Sequence, residues 1–145
     1  PNGHLMDSYS RVVSEGMKRV SNDLHGLLKC RGFKRASSRI WHRESDGFIE
    51  TVHLQRSGSS YGAPRNASVG LRLTLSLRAK ANVTSDPGDL IISDSARRAN
   101  GYAYHHRFNA ATGSTYDRCV QELELYVAEV AEPWFHERLR SSNPL

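Results

Sequence analysis

The chain lacks the features that mark several whole classes of protein. It has only two cysteines, Cys30 and Cys119, which excludes the disulfide framework of small secreted domains. No apolar run approaches the roughly 18 residues that a membrane-spanning helix needs. The first residues, PNGHLM, have neither the basic start nor the apolar stretch of a secretory signal. We therefore expect a cytoplasmic protein that does not enter a membrane and whose two thiols are free and buried.

Motifs for metal binding and for common catalytic sites are also missing. The seven histidines include no His-x-x-x-His pair, and the chain has no Cys-x-x-Cys. His105 and His106 are adjacent in a predicted strand, so their side chains point to opposite faces. The serine-rich loop Ser57–Asn66 has neither the Gly-x-Ser-x-Gly elbow of a hydrolase nor the Gly-Lys-Ser/Thr end of a phosphate loop. The sequence thus predicts no metal site, no cofactor and no catalytic residue.

The remaining composition is that of an ordinary globular protein with a basic surface. Of the 145 residues, 38% are hydrophobic and 24% are charged, and the formal net charge is +5. This length fits one domain, because two would each have a marginal core. We interpret residues 1–6 as a cloning remnant and residues 7–145 as the single domain. A positive net charge favours acidic partners through long-range attraction.

Two amphipathic helices are predicted, one near each end of the chain. Apolar residues recur at intervals of three and four from residue 7 to residue 31, which predicts a helix with one packed face. A second stripe follows Ser114-Thr115-Tyr116-Asp117, which resembles a capping box. Pro133 interrupts that second stripe, so we expect a kink or a restart there.

Three or four strands are predicted between the helices. The first two, residues 33–43 and 48–56, flank an Asp46-Gly47 turn and form a hairpin. The third, residues 68–78, alternates strictly between apolar and small or polar residues. Residues 80–99 are predicted to be a long irregular connection that Leu90-Ile91-Ile92 attaches to the domain. A fourth strand is predicted at residues 102–108.

These elements predict an α+β fold of two layers, in the order α-β-β-β-β-α. Sequential strands with short connections pair antiparallel, and both long helices cover one face of the sheet to bury their apolar stripes. Leu71, Leu73 and Leu75 should lie beneath the helices. Arg72 and Thr74 should face the other side.

The order of the motifs resembles a bacterial family, domain of unknown function 4304. In that family a GFKK segment, an aromatic-containing strand and an FQKS strand recur in this order. The matching segments here are Gly32-Phe33-Lys34, Ile40-Trp41-His42-Arg43 and Leu54-Gln55-Arg56-Ser57, followed by Glu132-Pro133-Trp134-Phe135 near the end of the second helix. The resemblance implies the same fold and no reaction. Some members look like immunity proteins beside bacterial toxins, which implies a partner-binding role.

We therefore predict a non-enzymatic protein-binding domain, of the immunity type in a bacterial toxin system, with an unidentified protein as its partner. Its binding surface is the polar side of the sheet or the connection 80–99, since long loops in compact domains are often functional. The residues predicted to form the surface on the sheet are Arg39, Trp41, His53, Gln55, Arg72 and Thr74.

Nucleic acid is the alternative partner. Strand arginines together with Trp41, Tyr102 and Tyr104 could form a basic and aromatic sheet face that binds phosphates and stacks on bases. The signature of an RNA-recognition domain is absent, and its order of strands and helices does not match. The opposite interpretation is that the arginine stems only cover apolar atoms at the surface.

A cluster of carboxylates near the first hairpin, Glu44, Asp46 and Glu50, could act in acid–base chemistry if one were buried. Because arginines alternate with them near an exposed turn, we expect a solvated ion-pair surface instead. An active site that combines His53 with Glu50 would need a bulge, since positions 50 and 53 differ in parity on a regular strand.

Overall fold

The structure is a computed structural model that describes residues 2–57, 64, 66–81 and 88–142. Its fold class is α+β, as predicted. The helices are α1 (Asn2–Lys29), α2 (Tyr116–Tyr126) and α3 (Glu132–Ser142), and a π-helical segment, Val127–Ala131, joins the last two. The strands are β1 (Lys34–Ser37), β2 (Ile40–Ser45), β3 (Phe48–Ser57), β4 (Ser68–Ala79), β5 (Asp89–Ile92) and β6 (Arg107–Asn109).

Within the described residues the sheet has six strands, so the predicted number of three or four was too small. Its order is β1-β2-β3-β4-β5, β6 also pairs with β4, and all the pairs are antiparallel. The predicted first strand is divided at Ser38, whose carbonyl accepts hydrogen bonds from Ser21 Oγ and Arg35 Nη2. Leu90-Ile91-Ile92 is part of β5, which pairs with β4.

The predicted fourth strand is also shorter than expected. Only its last part lies in β6, which pairs with the first residues of β4. The amide of His106 donates to the carbonyl of Tyr104 at 3.1 Å, which is a three-residue turn just ahead of β6. Ahead of β6, Ala103 forms an isolated bridge with Arg97.

The hairpin between β2 and β3 is confirmed. Asp46 and Gly47 have φ angles of 51° and 81°, and positive φ at both central residues is the signature of a type I′ turn. This turn fixes the register in which Arg43 lies opposite Glu50 and Trp41 lies opposite Val52.

The two-layer packing is confirmed as well. Leu71 is 4% exposed, and Leu73 and Leu75 are fully buried. They share one core with the apolar stripes of the helices, whose buried members are Val13, Met17, Val20, Leu24, Leu28, Cys119, Leu123, Tyr126, Val127 and Phe135. The helical stretches on either side of the strands in sequence therefore pack on the same face of the sheet.

The second helical stretch begins and bends differently from a simple helix. Its N-cap is Thr115 in a left-handed conformation without a side-chain cap, so the predicted capping box is wrong. The Thr115 hydroxyl donates instead to the carbonyls of Ser114 and Arg107. The expected irregularity near Pro133 is the π-helical segment, which ends two residues before the proline. Pro133 has no amide hydrogen to donate to the preceding turn, so a regular α-helical hydrogen bond is missing there.

The two cysteines differ in exposure, which corrects the expectation that both are buried. Both are free, but Cys119 is buried and Cys30 is exposed at the end of α1. Most of the predicted loop Ser57–Asn66, and residues 82–87 of the long connection, lie outside the described residues. In the part of the chain that the structure describes, no helix has the length and apolar character needed to cross a membrane.

Candidate functional site

The sheet side opposite the helices brings together most of the residues predicted to bind a partner. On β3 and β4, His53 lies directly opposite Thr74, and Gln55 lies directly opposite Arg72. The hydroxyl of Thr74 donates to Gln55 Oε1 at 2.8 Å. All four side chains are half-buried, because neighbours on adjacent strands cover one another.

Arg39 joins this group from the turn before β2. Its carbonyl accepts the backbone amide of Leu54 at 2.8 Å, which holds the turn against β3. Partial burial, followed by the positive charge of Arg39, lowers the pKa of His53 below its ordinary value. The imidazole of His53 is therefore neutral at pH 7.

Trp41 was wrongly assigned to this surface. It is fully buried on the helix side of the sheet, where its indole Nε1 donates to His25 Nδ1 at 3.1 Å. The reason lies in the alternation of β2, which puts Trp41 on the same face as its partner Val52. Tyr104 is also buried, so of the aromatic residues predicted for the nucleic-acid interface only Tyr102 is exposed, at 73%.

The surface extends further than predicted, to a second row of polar residues. His42, Thr51 and Ser76 lie side by side on β2, β3 and β4, and His42 Nδ1 lies 2.9 Å from Thr51 Oγ1. Burial, followed by the positive charge of Arg78, lowers the pKa of His42. Parity within the hairpin could have identified this row, since positions 42 and 51 face each other across a turn at 46–47.

Apolar residues flank the polar rows. Ile40 lies beside His53 on β2, and Ile92 lies beside Thr74 on β5. Leu90 of β5 is 53% exposed. We use the name sheet-face patch for Arg39, Ile40, His42, Thr51, His53, Gln55, Arg72, Thr74, Ser76, Arg78, Leu90 and Ile92.

The arginines of the sheet-face patch are not equivalent. Arg72 makes a two-pronged ion pair with Asp94, with its Nε at 3.0 Å from Oδ1 and its Nη2 at 2.6 Å from Oδ2. This contact lowers the pKa of Asp94 and offsets the charge of Arg72. Arg39 and Arg78 form no ion pair with any residue that the structure describes. They are the uncompensated charges of the patch.

The carboxylate cluster at the first hairpin is not the solvated surface that was predicted. Glu50 is 1% exposed and faces the core side, where Arg43 Nε donates to it at 2.6 Å. Glu44 remains exposed and pairs with Lys80 at 3.2 Å. Because β3 is regular, Glu50 and His53 lie on opposite faces, and the geometry does not bring them together for catalysis.

Among the described residues, no group of three or more histidine, cysteine, aspartate or glutamate side chains could hold a metal ion. Comparisons with protein families, with curated proteins and with solved structures found no match. The functional argument therefore depends on the geometry of the patch.

Proposed function

We propose that this domain binds a protein partner through the sheet-face patch, and that the partner presents an acidic surface there. The observation that carries the proposal is the pair of uncompensated arginines, Arg39 and Arg78, each beside a neutral histidine. Positive patches steer acidic partners and fix their orientation. Guanidinium groups also bind carboxylates with two parallel hydrogen bonds.

The form of the patch supports a protein partner. It lies on paired strands whose side chains already contact one another, so little conformational entropy is lost on binding. Its polar centre is flanked by Ile40, Ile92 and the exposed Leu90. Partly exposed apolar side chains beside polar groups are what a protein interface requires.

The motif order that resembles domain of unknown function 4304 is part of this proposal. It favours a bacterial, cytoplasmic protein of the immunity type, whose partner is a toxin encoded next to it. The structure gives nucleic acid less support, because Trp41 and Tyr104 are buried and cannot stack on bases. Phosphate contacts by the arginines would still give an affinity that falls steeply with salt.

The test is binding to the protein encoded by the adjacent gene, measured by calorimetry after co-purification. Reversing both free charges, with Arg39→Glu and Arg78→Glu together, should weaken binding by about tenfold or more, because like charges would meet across the interface. The fold should persist, since neither side chain pairs with a described residue.

The matched control is Arg11→Glu with Arg140→Glu. Both residues are exposed on helices away from the patch, and the double change alters the net charge by the same amount. Equal loss of binding in the two double variants would show that only the overall charge matters. Binding to DNA or RNA with a steep salt dependence, and no binding to the adjacent protein, would favour the alternative.

A further inference from the structure

A polar cleft opens at the edge of β4, in the gap between β5 and β6. It has a volume of about 300 Å³, at the lower end for ligand sites. The walls include Ser57, Gly70, Asp94, Tyr104, His106 and Arg107. The backbone amides on this edge of β4 already have acceptors. The amide of Leu71 donates to the carbonyl of His106, and the amide of Leu73 donates to Ser93 Oγ. The cleft is thus not a place where another strand adds to the sheet.

His106 presents a fixed hydrogen-bond acceptor to this cleft. The residue is 8% exposed, and its Nε2 lies 3.2 Å from the carbonyl of Glu122. A carbonyl only accepts, so Nε2 carries the proton and Nδ1 has a free lone pair. Nδ1 has no partner among the described residues, and it is not one of the unpartnered atoms sealed from solvent.

The neighbours of His106 hold the ring in this orientation. Tyr104 stacks on it with the ring centres 5.8 Å apart, and Tyr126 meets it edge-on at 5.7 Å. Burial, as the largest cause, lowers the pKa of His106. The imidazole therefore stays neutral at pH 7, and Nδ1 keeps its lone pair.

Donors lie on the other walls of the cleft. The Ser57 hydroxyl has no hydrogen-bond partner among the described residues, and a Cβ at Gly70 would approach it to 2.6 Å. With glycine at position 70, the hydroxyl keeps this position without a clash. Arg107 is exposed and forms no ion pair with a described residue. The charge of Asp94 is offset by Arg72.

We propose that the cleft binds a primary carboxamide. The amide nitrogen donates to His106 Nδ1, and the carbonyl oxygen accepts from Ser57 or Arg107. A carboxylate has no proton to donate to Nδ1, and its oxygen lone pairs would oppose the lone pair of Nδ1. An ammonium group has no acceptor for Ser57 and would face Arg107. A neutral group that both donates and accepts hydrogen bonds complements the acceptor of His106 and the donors of Ser57 and Arg107.

The proposal is tested on the protein alone, by NMR titration with acetamide, acetate and methylammonium at pH 7. The amide resonances of Gly70 and Ala103 report on the cleft. Acetamide should bind about tenfold more tightly than either ion. Equal responses to the three probes, or none, would mean that the cleft holds only water or adventitious additives, and would overturn the proposal.

Two variants locate the binding group. His106→Gln keeps a donor near the Glu122 carbonyl but removes the Nδ1 acceptor, and should weaken acetamide binding about fivefold or more. Ser57→Ala should also weaken it, whereas Ser76→Ala on the sheet-face patch should not. A folded His106→Gln protein that binds acetamide as the wild type does would refute the assignment. If that variant does not fold, the preference among the three probes decides.

The source of the carboxamide is distinguished by a further probe, N-acetylglutamine N-methylamide. Binding at least threefold tighter than that of acetamide would indicate a glutamine side chain on a polypeptide. Equal or weaker binding would indicate a small amide. Neither Arg39 nor Arg78 lines the cleft, so charge reversal at these two residues should leave acetamide binding unchanged.

Discussion

The ion pair between Arg43 and Glu50 is buried in the structure, whereas the sequence predicted that these charges are solvated. The stability of variants at these two positions distinguishes the two cases. Glu50 is 1% exposed and accepts hydrogen bonds from Arg43 Nε at 2.6 Å and from Ser45 Oγ at 2.9 Å. The same guanidinium donates to Glu132 and to the carbonyl of Arg31. Arg43 therefore connects the hairpin of β2 and β3 to α3 and to the end of α1.

The variant Arg43→Met should be strongly destabilising. It leaves the Glu50 carboxylate buried without a cation, and removing one partner of a buried pair costs about 3–5 kcal/mol. Glu132 adds little to that cost, because it is more exposed and retains Arg31 at 3.4 Å. Glu50→Gln should cost less, about 1–3 kcal/mol, since it leaves no buried charge and Arg43 keeps Glu132.

The double variant Arg43→Met with Glu50→Met tests whether the unpaired charge causes the loss. It removes both charges of the pair from a site beside Phe33 and Phe135, over whose rings the guanidinium lies at 4.2 and 5.9 Å. Apolar replacement of a buried pair is often neutral or stabilising, so the double variant should be more stable than Arg43→Met alone.

The measurement is urea unfolding at pH 7 followed by circular dichroism, with the free energy of unfolding obtained by linear extrapolation. A loss below about 1 kcal/mol for Arg43→Met is the value of an exposed pair. That result would show that Glu50 is solvated, and that the buried position given by the structure is incorrect.

Three further predictions concern the core, the patch and the histidines. Leu73→Ala should lower the free energy of unfolding by about 2–5 kcal/mol, and Leu73→Arg should prevent folding. An unchanged melting temperature for Leu73→Arg would show that the buried and exposed faces of the sheet have been assigned the wrong way round. His53→Ala with Arg72→Ala should melt within a few degrees of the wild type but lose the partner, and retained affinity would move the site to the connection 80–99. The free energy of unfolding, measured by urea titration, should fall as the pH is lowered from about 7.5 to 5, because four histidines have a lowered pKa in the folded state and protonation favours the unfolded chain; stability that is flat over this range would contradict it. Those histidines are His42, His53, His105 and His106.

The strongest local patterns correctly predicted the buried face of β4 and the hairpin of β2 and β3. The alternation of residues 68–78 predicted which side of β4 is buried, because period two leaves only one way to cover five apolar side chains. Asp46-Gly47 predicted the hairpin, because few residue pairs accept positive φ. β5 was not predicted as a strand, since a short apolar run carries no periodicity and its pairing depends on the free edge of β4.

The error at Trp41 has a clear physical origin. In Ile40-Trp41-His42-Arg43 each face of the strand receives one apolar and one polar residue, so hydrophobicity alone does not decide which side is buried. The buried carboxylate of Glu50 decides it, because Arg43 must face the same side to neutralise that charge. A pairing between two charged residues therefore determines the position of the tryptophan, and composition does not show this.

The ion pair of Arg72 with Asp94 connects the two proposed sites, because Arg72 belongs to the sheet-face patch and Asp94 lines the cleft. Asp94→Asn should release the charge of Arg72 and make the patch more positive. The two side chains are 36% and 42% accessible, so solvent screens the pair and its loss should change the free energy of unfolding little.

An acidic partner should then bind Asp94→Asn about two- to fivefold more tightly at low salt, and the gain should fade near physiological ionic strength, where the screening length is about 8 Å. Calorimetry at two salt concentrations measures this. Glu44→Gln, which releases Lys80 from its own exposed pair, is the control for added charge outside the centre of the patch. Weaker binding by Asp94→Asn would show that the partner requires Arg72 in the position that Asp94 gives it, because fixed donor geometry would then matter more than net charge.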